Sequence, residues 1–130
     1  MKLLLDTHIL LWWLRDNPKL GTQARAMIAD PRAETMVSIA SFWELSIKAR
    51  IGKFDALGSS LIDEALRAGF AVLQVQSNHL SALEQLERVP NHNDPFDHLI
   101  VAQAMAESAT LITNDKQLQR YRVDCFPRQR

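Results

Sequence analysis

The chain has 130 residues, 47% of them hydrophobic, with four glycines and five prolines, so it can bury a normal core and is too apolar for a disordered chain. Fifteen Lys and Arg are matched by fifteen Asp and Glu, which excludes a general electrostatic grip on nucleic acid and leaves any such binding to a local basic patch. Its one cysteine, Cys125, excludes an internal disulfide and suits a reducing compartment.

Leu3 to Asp6 reads as a buried strand that runs directly into a helix over Ile9 to Arg15. The start, Met1-Lys2-Leu3-Leu4-Leu5, has the look of a signal peptide, but Asp6 and His8 interrupt it and no small-residue cleavage site follows. The longest apolar run, Ile9 to Leu14, is too short to span a bilayer, and a soluble, cytoplasmic protein is expected. Asn17-Pro18 breaks the first helix; Thr22 to Ala29 forms a second, stopped by Asp30-Pro31. Glu34 to Ser38 is a second strand, followed by a helix from Ser41 to Arg50.

Gly52 and Gly58 bracket a loop, and Leu61 to Ala68 is helical. Phe70 to Val75 is β-like, and Ser77 is placed to cap a helix that runs through Leu86. The loop Asn91-His92-Asn93 leads to Asp94-Pro95, the best helix start in the chain: Pro suits the first helical position and Asp accepts the free amides before it. That helix extends to Glu107. A strand over Thr110 to Thr113, a short helix over Lys116 to Tyr121 and a strand around Val123 to Phe126 complete the pattern. With no repeat, low-complexity tract or linker, residues 1–130 read as one α/β domain, a parallel sheet with helices on both faces and its order left open.

Four acids stand where apolar runs give way to helix starts: Asp6, Glu44, Asp97 and Asp115. In an open parallel sheet, ligands bind outside the carboxyl ends of the strands, so these distant residues are expected to meet on one edge. Carboxylates about 4 Å apart repel by roughly 4 kcal/mol at an effective dielectric near 20. A divalent cation would neutralise them, and carboxylate-held hard cations commonly drive phosphodiester cleavage.

Each acid also has a structural explanation. Asp6 suits a helix N-cap, although a carboxylate at the end of a buried strand is costly without partners. Ser41-Phe42-Trp43-Glu44 fits a capping box, and Glu44 with Lys48 makes a favourable i,i+4 pair. Asp94-Pro95-Phe96-Asp97 resembles an acidic capping box, with Asp94 either the cap or a fifth acid. Asp115 after Asn114 is ordinary turn chemistry. His8, His79, His92 and His98 lack zinc spacing, His98 is four residues from Asp94 as for a local ion pair, and Trp12, Trp13 and Trp43 suit core or interface packing.

Four segments together resemble the PIN-domain family. They are Leu4-Leu5-Asp6-Thr7-His8-Ile9-Leu10-Leu11-Trp12-Trp13-Leu14, Ser38-Ile39-Ala40-Ser41-Phe42-Trp43-Glu44-Leu45, His92-Asn93-Asp94-Pro95-Phe96-Asp97-His98-Leu99-Ile100-Val101-Ala102-Gln103-Ala104 and Leu111-Ile112-Thr113-Asn114-Asp115. More narrowly, the chain is similar to VapC-type toxins of bacterial type II toxin–antitoxin modules, across nearly its whole length and in the right order. The resemblance implies a Rossmann-like sheet of about five parallel strands and an endoribonuclease dependent on Mg²⁺ or Mn²⁺. It also implies a VapB-like antitoxin and a homodimer. Carried over, the acidic quartet falls on Asp6, Glu44, Asp97 and Asp115, with Thr7 and Thr113 at positions where a hydroxyl orients the site.

On this reading Asp6 and Asp97 are the main ligands of one divalent ion, and Asp115 and Glu44 complete the cluster directly or through water. Attack by an activated water leaves a 3′-hydroxyl and a 5′-phosphate. RNA contacts are expected from Lys48, Arg50 and Lys53 and from Lys116, Arg120 and Arg122, although a solvated face is the plainer role for both groups. Two other classes compete: a metal-dependent phosphatase, whose common form wants an Asp where His8 stands, and a non-catalytic α/β protein- or RNA-binding domain whose acids are helix caps.

Overall fold

The computed structural model describes residues 1–127. Among these, five strands, β1 (Lys2–Leu5), β2 (Glu34–Ser38), β3 (Ala71–Leu73), β4 (Thr110–Ile112) and β5 (Cys125–Phe126), form a sheet in the order β3-β2-β1-β4-β5. Every neighbouring pair is parallel. The helices are α1 (Thr7–Leu14), α2 (Thr22–Ala29), α3 (Ile39–Arg50), α4 (Gly58–Arg67), α5 (Ser77–Glu84) and α6 (Pro95–Ala106). No helix among the described residues is long and apolar enough to cross a membrane.

β1 is the middle strand, with a neighbour on each side and helices on each face, so its residues must be apolar on both faces. Leu3, Leu4 and Leu5 meet that requirement with no exposed surface, each contributing about 2 kcal/mol by burial. Their alternation divides the core. Leu3 and Leu5 pack with Leu10 of α1, Ile28 of α2, Phe42 of α3 and Leu61 of α4. Leu4 faces the other way, against Ile100, Val101 and Ala104 of α6. The strand order that pattern alone leaves open is set by the pairing: β2 and then β3 lie on one side of β1, β4 and then β5 on the other. The order reverses between β1 and β4, and that gap is the topological switch point where ligands bind in such sheets.

Several boundaries differ from the sequence expectation, each for a local reason. α1 begins at Thr7 rather than Ile9 because Asp6 caps it, accepting the Ile9 amide at 3.0 Å. α3 begins at Ile39, not Ser41, because the Ser38 hydroxyl already serves as cap for Ala40. Glu44 is therefore in the second turn, and the Ser41–Glu44 capping box does not form. Gln76, not Ser77, caps α5, through a reciprocal pair with His79. The expected helix over 116–121 contracts to a single 3-10 turn, Leu118–Arg120, and β3 is limited to three residues. α4 starts at Gly58 rather than Leu61, and α3 passes so close there that a Cβ would lie 2.3 Å from Ser46 Oγ and 2.6 Å from the Phe42 carbonyl, which only glycine avoids.

Candidate active site

β1 and β4 end side by side, which brings Asp6 and Thr113 face to face across the switch point. The Asp6 amide extends the ladder by donating to the Ile112 carbonyl at 3.0 Å. Its carboxylate is 4% exposed and has both oxygens engaged: Oδ1 takes the Ile9 amide and Oδ2 takes a short hydrogen bond from the buried Thr113 hydroxyl. Thr113 in turn accepts the Asp115 amide at 3.0 Å, and Asp115 Oδ1 accepts the Gln117 amide at 2.8 Å. Asp115 is thus a turn residue, as its sequence setting suggests, and is also bound into the Asp6 network. Burial raises the Asp6 pKa most; Thr113, the Ile9 amide and His8 oppose that rise, and the negative Asp115 adds to it.

A second group forms where α1 meets α3. The Thr7 hydroxyl lies 3.0 Å from Ser41 Oγ and 3.2 Å from Glu44 Oε1. Because a carboxylate only accepts, Thr7 donates to Glu44 and is left to accept from Ser41. The expected i,i+4 pair is present, with Lys48 Nζ 3.5 Å from Glu44 Oε2.

Asp97 occupies the first turn of α6. Asp94 caps that helix, accepting the Phe96 amide at 2.9 Å and the Asp97 amide at 3.4 Å. The Asp97 side chain does not reach back as a capping box; its Oδ2 lies 3.1 Å from His92 Nε2. Burial raises the Asp97 pKa to about 6; the His92 hydrogen bond opposes it, and the negative charges of Asp94 and Asp115 reinforce it. Nor does His98 pair with Asp94: its Nε2 is 2.7 Å from the His92 carbonyl.

The predicted residues therefore fall into two groups. Asp6, Thr113, Asp115 and Asp97 form one, since the charge of Asp115 acts on both Asp6 and Asp97. Thr7, Glu44 and Lys48 form the other, joined to the first through Asp6–Thr7 at the start of α1. Among the described residues, no three His, Cys, Asp or Glu side chains converge into a ready-made metal cage. The donor set fits a cation that retains its water: two desolvated carboxylates are driven toward protonation, and Mg²⁺ characteristically takes only one or two carboxylates directly.

Of the basic residues, Lys48 and Lys116 are exposed beside Glu44 and Asp115, while Arg50 and Lys53 are exposed at and just beyond the end of α3. Arg120 contacts the Pro90 carbonyl and Gln117, and Arg122 meets Glu87, both at the surface. Trp12 and Trp13 pack against the core as expected; Trp43 is 60% exposed, edge-on to Phe96. His92, Tyr121 and Ser41 join the site although no sequence spacing marks them. His92 could have been found from the Asp94-Pro95 helix start, which puts it in the preceding loop within reach of the first turn. Tyr121 meets it only through the tertiary fold.

A sequence model of the PIN domain matches residues 3–124. The chain belongs to the PIN-domain family. No curated protein matches it significantly. Solved structures similar to this PIN domain include VapBC2 from Rickettsia felis, bound to a DNA fragment from its promoter. That match has a TM-score of 0.74 at 20% identity and covers 96% of this chain and 97% of the other. VapBC-1 from nontypeable Haemophilus influenzae gives 0.64 at 24% identity, covering 92% of each chain. A toxin–antitoxin complex from Klebsiella pneumoniae gives 0.57 at 19%, covering 87% and 86%. At these identities the likeness is one of fold.

Proposed function

We propose that this PIN domain is a divalent-metal-dependent endoribonuclease and the toxin of a type II toxin–antitoxin module. The observation that carries the reading is the buried Asp6 carboxylate at the switch point, tied to Thr113 and sharing the negative field of Asp115 with Asp97. The Ile9 amide and the Thr113 hydroxyl offset part of the cost of burying this charge, but its pKa stays raised, so the hydrogen bonds of a structural role leave a remainder that a cation would offset. Fold likeness to VapBC assemblies supports the toxin assignment and a VapB-like antitoxin as partner.

Asp6 and Asp97 would hold a Mg²⁺ or Mn²⁺ ion, with Glu44 and Asp115 reached through water. Such an ion, when bound, activates water at neutral pH and offsets charge on the attacked phosphate. The residues of the chain prepare for that role. Thr113 holds Asp6 in one rotamer, Thr7 holds Glu44, and His92 holds Asp97. Lys48, beside Glu44, and Lys116, next to Asp115, are candidates for gripping RNA phosphates, as are the exposed Arg50 and Lys53. An antitoxin Arg or Lys entering among the acids would oppose activity by a charge-assisted pairing. An exposed apolar stripe of Trp43 and Ile47 on α3 and Ile51 just after it favours self-association into a homodimer, which light scattering would measure.

One observation favours a non-catalytic binding domain: Asp6, Asp94 and Asp115 each accept a backbone amide, and such capping is sufficient to explain an acid at a helix start. Incubating purified protein with RNA in Mg²⁺, Mn²⁺ or EDTA separates the two. Cleavage that needs metal and disappears in both Asp6→Asn and Asp97→Asn supports the nuclease. Absence of cleavage by folded protein, with no metal-dependent change in stability, supports the binding domain. Growth arrest on expression, relieved by the neighbouring reading frame, tests the toxin assignment.

A further inference from the structure

Resting on the metal-dependent reading above, we infer that His92 and Tyr121 are positioning residues that orient the Asp97 carboxylate toward a hydrated divalent cation. His92 is 8% exposed and Tyr121 is 5% exposed. His92 lies between its two partners: Nε2 is 3.1 Å from Asp97 Oδ2, and Nδ1 is 2.8 Å from Tyr121 Oη.

The donors can be assigned from chemistry. An ionised carboxylate only accepts, so His92 Nε2 carries the proton and donates to Asp97. In a neutral imidazole the other nitrogen is then an acceptor, and the Tyr121 hydroxyl must donate to it. Donation therefore runs one way, from Tyr121 through His92 to Asp97. It fixes Oδ2 and leaves Oδ1 available to a cation.

The ring itself is held in place. Asn91, in the left-handed region at φ 63°, turns the chain so that His92 folds back over the start of α6. His98 Nε2 donates to the His92 carbonyl at 2.7 Å, and its ring meets that of His92 edge-on at 5.1 Å. Tyr121 meets the same ring edge-on at 5.5 Å. Tyr121 follows β4 whereas Asp97 opens α6, so the relay ties the acid to the segment that leaves β4. Carboxylates that hold metals are commonly fixed by such a second partner, whose loss weakens metal binding by about 10- to 100-fold.

The test uses the full chain with ¹⁵N-labelled histidine and Mn²⁺ as the probe. In metal-free protein, His92 is expected to show the tautomer protonated at Nε2. Tyr121→Phe removes one hydroxyl and keeps the ring; it is expected to keep the tautomer that Asp97 sets, to lose the hydrogen bond at Nδ1, and to weaken Mn²⁺ binding about tenfold, measured by the electron paramagnetic resonance signal of free Mn²⁺. His92→Gln keeps an N–H donor and is expected to bind Mn²⁺ more tightly than His92→Ala. A wild-type His92 protonated at Nδ1 would overturn the proposal. So would equal Mn²⁺ affinity in wild type and Tyr121→Phe, or equal affinity in His92→Gln and His92→Ala should Tyr121→Phe fail to fold. Wild-type protein that binds no Mn²⁺ overturns the metal-dependent reading itself, and the cation-facing role with it.

Discussion

Asp97→Asn should make the metal-free protein more stable at neutral pH. The folded chain raises the carboxyl of Asp97 from its ordinary 3.8 to about 6, chiefly by burial. At about 1.4 kcal/mol per pH unit, holding that group ionised at pH 7 costs the native state at most about 3 kcal/mol. The side chain is 23% exposed, so solvent screening reduces this to on the order of 2 kcal/mol. Asn keeps an oxygen to accept from His92 and from this position loses only the charge. Because the folded value lies above the unfolded one, the cost is absent below about pH 4, grows between about pH 4 and 6, and is complete above that. Urea unfolding of EDTA-treated wild type and Asp97→Asn at pH 4 and pH 7 should therefore show a gap only at pH 7. Added Mg²⁺ should then stabilise the wild type and leave the variant unchanged. A variant no more stable than wild type at pH 7, or equally favoured at both pH values, would refute the claim that Asp97 is a strained, cation-seeking carboxylate.

Thr113→Val removes the donor to Asp6 Oδ2 and the acceptor for the Asp115 amide, and should cost about 2 kcal/mol in urea unfolding together with most RNA cleavage. Glu107 is held below the ordinary 4.5 first by its hydrogen bond to the fully buried His79 and then by Lys2. Its stabilisation is therefore present above that pH and lost as acid drives the pH down through the lowered folded value. Glu107→Gln should lower stability at pH 7 by about 1 kcal/mol, with the difference from wild type vanishing in acid. Lys48→Ala, placed in an Asp6→Asn background to prevent cleavage, should reduce the dependence of log RNA affinity on log salt by about 0.7, read by fluorescence anisotropy. An unchanged slope would mean that Lys48 serves Glu44 alone.

The parallel sheet was legible because β1 carries the apolar run Leu3-Leu4-Leu5, β2 carries Met36-Val37, and each is followed by a helical pattern. Strand order was not legible, since Leu3, Leu4 and Leu5 would be equally buried between any two neighbours. The acids were visible as strand-end residues, yet how they are held was misread wherever the helix start was misplaced. Beginning α3 at Ser41 assigns Glu44 to a cap; beginning it at Ile39 frees Glu44 to meet Thr7 and Lys48. Local chemistry could not decide between these, because Ser38 and Ser41 are both competent caps. What decided it is that Ser38 ends a strand in extended geometry while Ser41 is drawn inward to Thr7. Asp94 was legible as the natural cap of α6, but the capping box expected of Asp97 does not form, and the fold gives its carboxylate His92 instead. A carboxylate relieved of capping, partly buried and aligned by the His92 ring is available for another partner, and the switch point beside it is where a parallel sheet receives one.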